Sequence, residues 1–325
     1  MGLSAKHLIA ASAAAFIGIG AAAACLDHAL RNALEQAFPA MLLTRQPTDV
    51  LAIGDSTVAA GFNVPSFVSE WRPSGSTSPQ QALNAGLGGT GLTQWHVAWR
   101  LASENKADIT HLIVGTFDHR LTNPSLIRWS SWFGLDAMAF HADPSWSARY
   151  ACTSAFDQLC YRTARHFPLF TERGNMWAKV EMARRFLGSL GLDREAMDHQ
   201  RMVRDIVAVL EPDREVFLAR TREAVTGHSP LAPQIADTLT AARKKGIETT
   251  VVMMPMPADR HGLYITPEWR DYMKHLRGLV EPLGARLIDA TTWITEQGAF
   301  VDQLHLSDSG AASFSRRLAR EMAAR

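Results

Sequence analysis

Two short stretches near opposite ends of the chain carry side chains capable of covalent chemistry. The first is Gly54-Asp55-Ser56, which follows the apolar run Asp49–Ile53, and the second is "FVDQLHLSDSGA", in which Asp302 and His305 stand three residues apart. A serine where a buried strand ends and a helix begins holds its Oγ in the mouth of the sheet, where backbone N–H groups can meet developing negative charge. A carboxylate three residues from an imidazole can reach it within one turn, and an imidazole so held can act as base to a serine. Each stretch also has a plainer account. Gly54-Asp55-Ser56 can be an ordinary strand-to-helix turn with a Ser N-cap, and it lacks the G-x-S-x-G of the nucleophile elbow. The Asp302 segment can be a polar loop before a helix capped by Ser307 or Ser309. A second D-x-x-H pair, Asp108 and His111, leads into a strand-like run and reads as structural.

A third stretch, "NAGLGGTG" from Asn84 to Gly91, matches G-x-G-x-x-G at Gly86, Gly88 and Gly91. Between a strand and a helix that pattern competes as a dinucleotide-binding fingerprint. The strand before it, "PQQALNAG", is polar where the fingerprint wants an apolar run. The ribose-binding acid should come about twenty residues on. Asp108 is not at a strand end and Asp118 comes late.

The elements that must position these residues follow a simple order. Strand-like runs occur at Asp49–Ile53, Gln81–Ala85, Thr110–Phe117, Glu248–Pro257 and Ala285–Trp293. Helical patterns occupy Gly91–Ser103, Pro230–Lys245, Pro267–Leu283 and the C-terminal "SGAASFSRRLAREMAAR". Strands alternating with helices predict an α/β fold, a three-layer α/β/α sandwich with a mainly parallel sheet. Between His119 and about Gly227 no strong strand occurs, and the segment is rich in aromatics and arginine. It reads as a largely helical insertion, at about residues 119–228, in a domain spanning 45–325. A separate helical domain is the alternative.

The first 44 residues differ in kind. Leu8–Leu26 is nineteen residues without a charge, preceded by Lys6 and dominated by Ala and Gly. Roughly twenty apolar residues span a bilayer, so the run is expected to form an N-terminal hydrophobic helix, as an uncleaved signal anchor or a cleaved signal peptide. Cys25 resembles a lipoprotein cysteine, although Ala22 stands three before it where Leu is usual. A buried helix of the soluble domain is the third account. In the two export cases the basic end stays inside and the remainder faces the periplasm, tethered or secreted.

Composition excludes several classes. At 325 residues and 47% hydrophobic the chain can bury a sizeable core. Thirty-three Lys and Arg against 32 Asp and Glu leave no electrostatic footprint for nucleic acid. Three cysteines give neither CxxC nor zinc spacing, and HExxH does not occur, so no metal or other cofactor is expected. On one helix, Cys152 and Cys160 would stand about 12 Å apart, too far to bridge. They pair only if their segment is looped.

Taken in chain order, the motifs resemble the SGNH/GDSL hydrolase superfamily, which carries a GDS serine after its first strand. It then has N-x-x-x-x-G after the second strand, G-x-N-D after the third, and D-x-x-H near the C-terminus. Here these are Gly54-Asp55-Ser56, Asn84 to Gly89, and Asp302 to His305. The match covers roughly residues 49–117 and 248–325. The resemblance implies a Ser56–His305–Asp302 acyl-transfer site with an oxyanion hole formed by the backbone N–H groups of Ser56 and Gly89. The third block departs from the pattern, because "VGTFDHR" puts Phe117 where the family has the Asn that completes the hole. Losing such a donor typically costs on the order of 10²–10³ in rate. His119, Arg120 and Asn84 are the candidate substitutes, and Asp118 reads as support for its loop.

An anchored, exported domain of this kind with a helical insertion is also similar to proteins that work beside membrane-bound O-acyltransferases to acetylate exopolysaccharides. The expected activity is therefore O-acetyl transfer to, or O-acetyl ester hydrolysis on, an exported carbohydrate. Aromatic residues of the insertion would suit sugar faces. The alternative is a non-catalytic module that binds a polysaccharide or scaffolds its synthesis complex, which the loss of the Asn favours. A nicotinamide-dependent oxidoreductase is the third reading.

Overall fold

A computed structural model of the chain describes residues 47–71, 81–88, 90–105, 108–117, 119–122, 150 and 214–324. All of these except Tyr150 belong to one compact unit, Met41–Ser125 together with Met197–Arg325. The expectations for Leu8–Leu26, for Cys152 and Cys160, and for most of the insertion fall outside the described residues. Among the described residues no helix is long and apolar enough to cross a membrane.

Five strands form a sheet, β1 (Val50–Gly54), β2 (Ala82–Gly86), β3 (His111–Thr116), β4 (Glu248–Met253) and β5 (Ala285–Asp289). Their order is β2-β1-β3-β4-β5 and every pairing is parallel. The sequence expectation of a mainly parallel α/β sheet holds for these strands. Because the chain runs from β1 outward to β2 and then back past β1 to β3, the connections reverse direction beside β1. In open α/β sheets such a switch point leaves a crevice at the carboxyl ends of the strands, where ligands bind.

Alternation sorts each strand's side chains onto the two faces. Val50 and Ala52 of β1 join Ile113, Val252 and Ile288 in the core beneath the helices α1 (Ser56–Gly61), α2 (Val64–Glu70) and α7 (Asp308–Ala323). Phe62, Phe67, Trp71 and Phe314 fill that layer. The other face carries α3 (Leu92–Asn105), α5 (Pro233–Lys244) and α6 (Pro267–Val280), with α4 (Arg214–Thr226) packed on α6. Helices on both faces explain why β1 and β3 read as unbroken apolar runs. β2 reads as polar because it is an edge strand, only half-buried along most of its length.

Two strands are shorter than their sequence patterns. β4 stops at Met253 because Pro255 and Pro257 have no N–H to continue the ladder. Single bonds still prolong the pairing, from Met254 N–H to the Thr116 carbonyl and from Met256 N–H to the Thr291 carbonyl. β5 stops at Asp289, whose Oδ1 accepts from the amide and hydroxyl of Thr291 and turns the chain.

Three glycines lie side by side across the sheet, Gly86 paired with Gly54 and Gly54 with Gly115. A Cβ on Gly54 or Gly115 would come within 2.3 Å of Val58 Cγ2, and one on Gly86 within 2.4 Å of the Ala59 amide nitrogen. The row is a seat on which α1 lies flush. Gly115→Ala is therefore expected to destabilise the protein by about 1–3 kcal/mol, the usual cost of forcing a methyl into a filled site. Urea unfolding should show a lower midpoint with an unchanged slope, and Val58→Ala in the same chain should recover most of the loss. A neutral Gly115→Ala would refute the close seat.

Candidate active site

Ser56 is the first residue of α1 and half-buried. The residue capping the helix is Asp55, not Ser56, so the account of Ser56 as an N-cap is corrected. Asp55 Oδ1 accepts from the Thr57 amide at 2.9 Å and from the Thr57 hydroxyl at 2.6 Å. With the cap supplied next door, the Ser56 hydroxyl has no capping duty. Its N–H, at the first helical position, has no acceptor within the helix. The loop after β2 passes beside it: Leu87 N–H donates to the Gly54 carbonyl at 3.0 Å, and a Cβ on Gly88 would lie 3.8 Å from Ser56 Cβ. Gly89, the expected second oxyanion donor, lies outside the described residues.

Asp302 and His305 sit on the loop between β5 and α7, closed by the isolated bridge of Phe300 with Leu306. Ser307 caps α7, accepting from the Gly310 amide, so the plainer account of this loop is also correct as far as the cap goes. The loop does more than cap. Asp302 Oδ2 accepts from His305 Nδ1 at 2.8 Å, and Oδ1 accepts from the amides of His305 at 2.7 Å and Leu304 at 2.8 Å. Partial burial works to raise the Asp302 pKa, but the His305 ring, these two amides and the imidazole charge outweigh it and hold it below its ordinary 3.8. Holding Nδ1 leaves Nε2 as the ring nitrogen open to a reactant.

The loop bearing His305 docks on the helix bearing Ser56. Leu306 Cδ1 comes within 3.3 Å of where a Cβ on Gly61 would stand. Ser315 of α7 donates to the Gly61 carbonyl and accepts from the Asn63 amide. Ser56 follows the carboxyl end of β1, and Asp302–His305 follow the carboxyl end of β5, so both stand at the same edge of the sheet. Among the described residues no hydrogen bond joins Ser56 Oγ to His305.

The three candidate substitutes for the missing Asn separate cleanly. Asn84 Nδ2 donates to the carbonyls of Val58, Ala59 and Phe62, and its Oδ1 accepts from the Gly86 amide. It ties off the last turn of α1 and has no hydrogen left for a substrate. His119 is buried among Phe217, Trp269 and Tyr272, with Nε2 on the Thr221 hydroxyl at 2.8 Å. Both expectations are corrected, since each side chain is committed to packing. Arg120 alone lies beside the serine motif, its Nη1 3.1 Å from Asp55 Oδ2. Phe117 packs against the apolar core, with the Arg120 guanidinium over its ring at 5.2 Å. Asp118 lies outside the described residues.

No protein-family model matches the chain, and no curated protein matches its sequence. Solved structures do overlay on it. One is a Streptococcus pneumonia protein provisionally named a platelet activating factor, at 10% identity and a TM-score of 0.41, covering 91% of this chain and 97% of its own. Another is a Bacteroides fragilis protein provisionally named an acylhydrolase, at 9% identity and a TM-score of 0.38, covering 89% and 96%. Overlaps this loose assign neither a family nor an activity.

The remaining motifs have structural duties. Gly86 is spent on the seat for α1, and Asp108 precedes β3 at the amino edge of the sheet, opposite the Gly86–Gly91 loop. That geometry does not fit a dinucleotide fingerprint, whose acid belongs at a strand's carboxyl end. His111 opens β3, with its ring edge-on to Trp71 at 4.9 Å and Nε2 3.5 Å from Glu248, which bears out its structural reading. Among the described residues no group of three or more His, Cys, Asp or Glu is placed to hold a metal ion.

Proposed function

We propose that the chain is a serine-dependent acyl-transfer enzyme of the SGNH/GDSL type, acting on an ester. What carries the reading is the 2.8 Å bond from His305 Nδ1 to Asp302, made by a loop that docks on the helix bearing Ser56. An imidazole fixed through Nδ1 by a carboxylate has Nε2 left to accept a serine proton.

In the proposed reaction Ser56 Oγ attacks the ester carbonyl carbon while His305 Nε2 takes the hydroxyl proton. The tetrahedral oxyanion is met by the Ser56 N–H and an N–H of the loop after β2, for which Gly89 is the candidate. Collapse breaks the ester C–O bond, and His305 returns the proton to the departing alcohol. An acyl group then sits on Ser56. Water or a sugar hydroxyl, deprotonated by His305, next attacks the acyl carbon. The bond from that carbon to Ser56 Oγ breaks and His305 returns the proton to Oγ, giving hydrolysis in the first case and transfer in the second. The finer reading is an O-acetyltransferase or O-acetylesterase for an exported carbohydrate, anchored through residues 8–26, facing the periplasm and working beside a membrane-bound O-acyltransferase.

The experiment is mass spectrometry after brief exposure to p-nitrophenyl acetate. An added acetyl on the peptide containing Ser56, absent in Ser56→Ala, is the expected result. A second reading, a non-catalytic polysaccharide-binding module, is favoured by Phe117 at the Asn position and by the missing Ser56–His305 bond. It predicts no adduct, together with glycan binding that Ser56→Ala leaves unchanged.

A further inference from the structure

Arg120 was weighed above as an oxyanion donor, yet its guanidinium is engaged around the serine motif on several sides. Its Nη1 lies 3.1 Å from Asp55 Oδ2 and 3.4 Å from the Thr90 carbonyl, to which it donates. Its Cζ stands over the rings of Trp95, at 5.8 Å, and Phe117, at 5.2 Å. Asp55 is only 4% exposed, whereas Arg120 is 26% exposed. A carboxylate that far from water is stable only when paired. Asp55 Oδ1 accepts from Thr57, and the Arg120 guanidinium brings the opposite charge to Oδ2.

These contacts join three strand ends. Asp55 follows β1, Thr90 lies on the loop after β2, and Arg120 lies on the 3-10 turn after β3. Thr90 is itself fixed, its hydroxyl donating to the Leu87 carbonyl and accepting from Trp95 Nε1. Asp55 immediately precedes Ser56, so its direction sets that of the Ser56 N–H and the start of the Ser56 side chain.

Building on the proposed reaction, we infer that Arg120 is a positioning residue, which holds Asp55 and through it fixes Ser56 against the loop after β2. It acts on the serine without touching the substrate. Phe117 then has a use at the position where an Asn was expected, because its ring is one of the surfaces that carry the guanidinium.

The test uses the full chain and two readouts. The first is the rate at which diethyl p-nitrophenyl phosphate labels Ser56, alongside kcat and KM for p-nitrophenyl acetate. The second is hydrogen exchange of the amides of Ser56–Gly61. Arg120→Gln is expected to lower labelling and kcat about 10–100-fold, the scale of a misplaced reacting group. KM should stay within about threefold, and the Ser56–Gly61 amides should exchange faster while those of Pro267–Val280 do not change. Arg120→Lys should recover part of kcat, since it restores a cation without the planar fork. The Asp55→Asn, Arg120→Gln double variant should be no slower than the slower single variant, because both break one link. Unchanged labelling or unchanged exchange in Arg120→Gln overturns the inference, as does a rise in KM alone. A wild-type protein that is never labelled overturns the proposed function instead, whatever the exchange shows.

Discussion

Ser56→Ala is expected to lower kcat for p-nitrophenyl acetate by at least about 10⁴-fold, and His305→Ala to lower it by a similar factor. The double variant should be no worse than either single one. An imidazole without a hydroxyl to deprotonate has nothing to activate, and a hydroxyl without a base attacks slowly, so the second loss costs almost nothing. Losses that multiply would mean two independent contributions and would sink the proposed mechanism. Neither change should unfold the protein. Ser56 caps nothing, because Asp55 holds that position, and His305 is 27% exposed, its ring bonded only to Asp302 among the described residues.

Asp302→Asn is expected to lower kcat about 10²-fold or more. The amide keeps an oxygen for the Leu304 and His305 amides, so the loop retains its turn. At His305 Nδ1 it offers no charge, and an NH₂ facing the ring favours the wrong tautomer. The carboxylate is 52% exposed, so solvent screening holds the loss toward the small end of what buried triads show. The pH dependence follows from the lowered Asp302 pKa. A depressed carboxyl contributes stability that is fully present above its ordinary 3.8 and is lost as pH falls through the lowered value. Any acid limb in kcat above that region belongs to another group. The Asp302 contribution to the urea midpoint should therefore be intact at pH 5 and decline only below 3.8, and a decline already complete at pH 5 would refute the assignment.

Much of the frame was legible because it is local. The five strands of the sheet were found, β2 despite its polar sequence, and the Asp302–His305 contact came from a three-residue spacing that closes within one turn. Their ends were less legible where turn chemistry took over, as at Pro255 and at Asp289 with Thr291. What escaped was set by partners distant in the chain. His119 reads as a polar residue beside the motif, yet Phe217, Trp269 and Tyr272 enclose it from about a hundred residues onward or more. Asn84 has the type and place of a substrate donor, and only the fold turns its amide toward the carbonyls of α1. Asp55 did carry a signal, since Asp-x-Thr before a helix is a cap in its own right, but the eye goes to the serine beside it. The glycine row also had one. Gly54, Gly86 and Gly115 each stand at or next to a strand's last residue, and aligning the strands by their carboxyl ends would have lined them up.

That alignment limits how the proposed activity could move to another ester. The seat beneath α1 is bare main chain with no methyl's worth of slack, so exchanging side chains there cannot enlarge or reshape it without displacing α1 and Ser56. Under the proposed acyl-transfer function, changes in selectivity would fall to the segments after β3, β4 and β5, where Phe117, Arg260 and the outward-facing Val301 stand. Lineages with this floor would be expected to diversify by loop replacement while keeping three small residues in register.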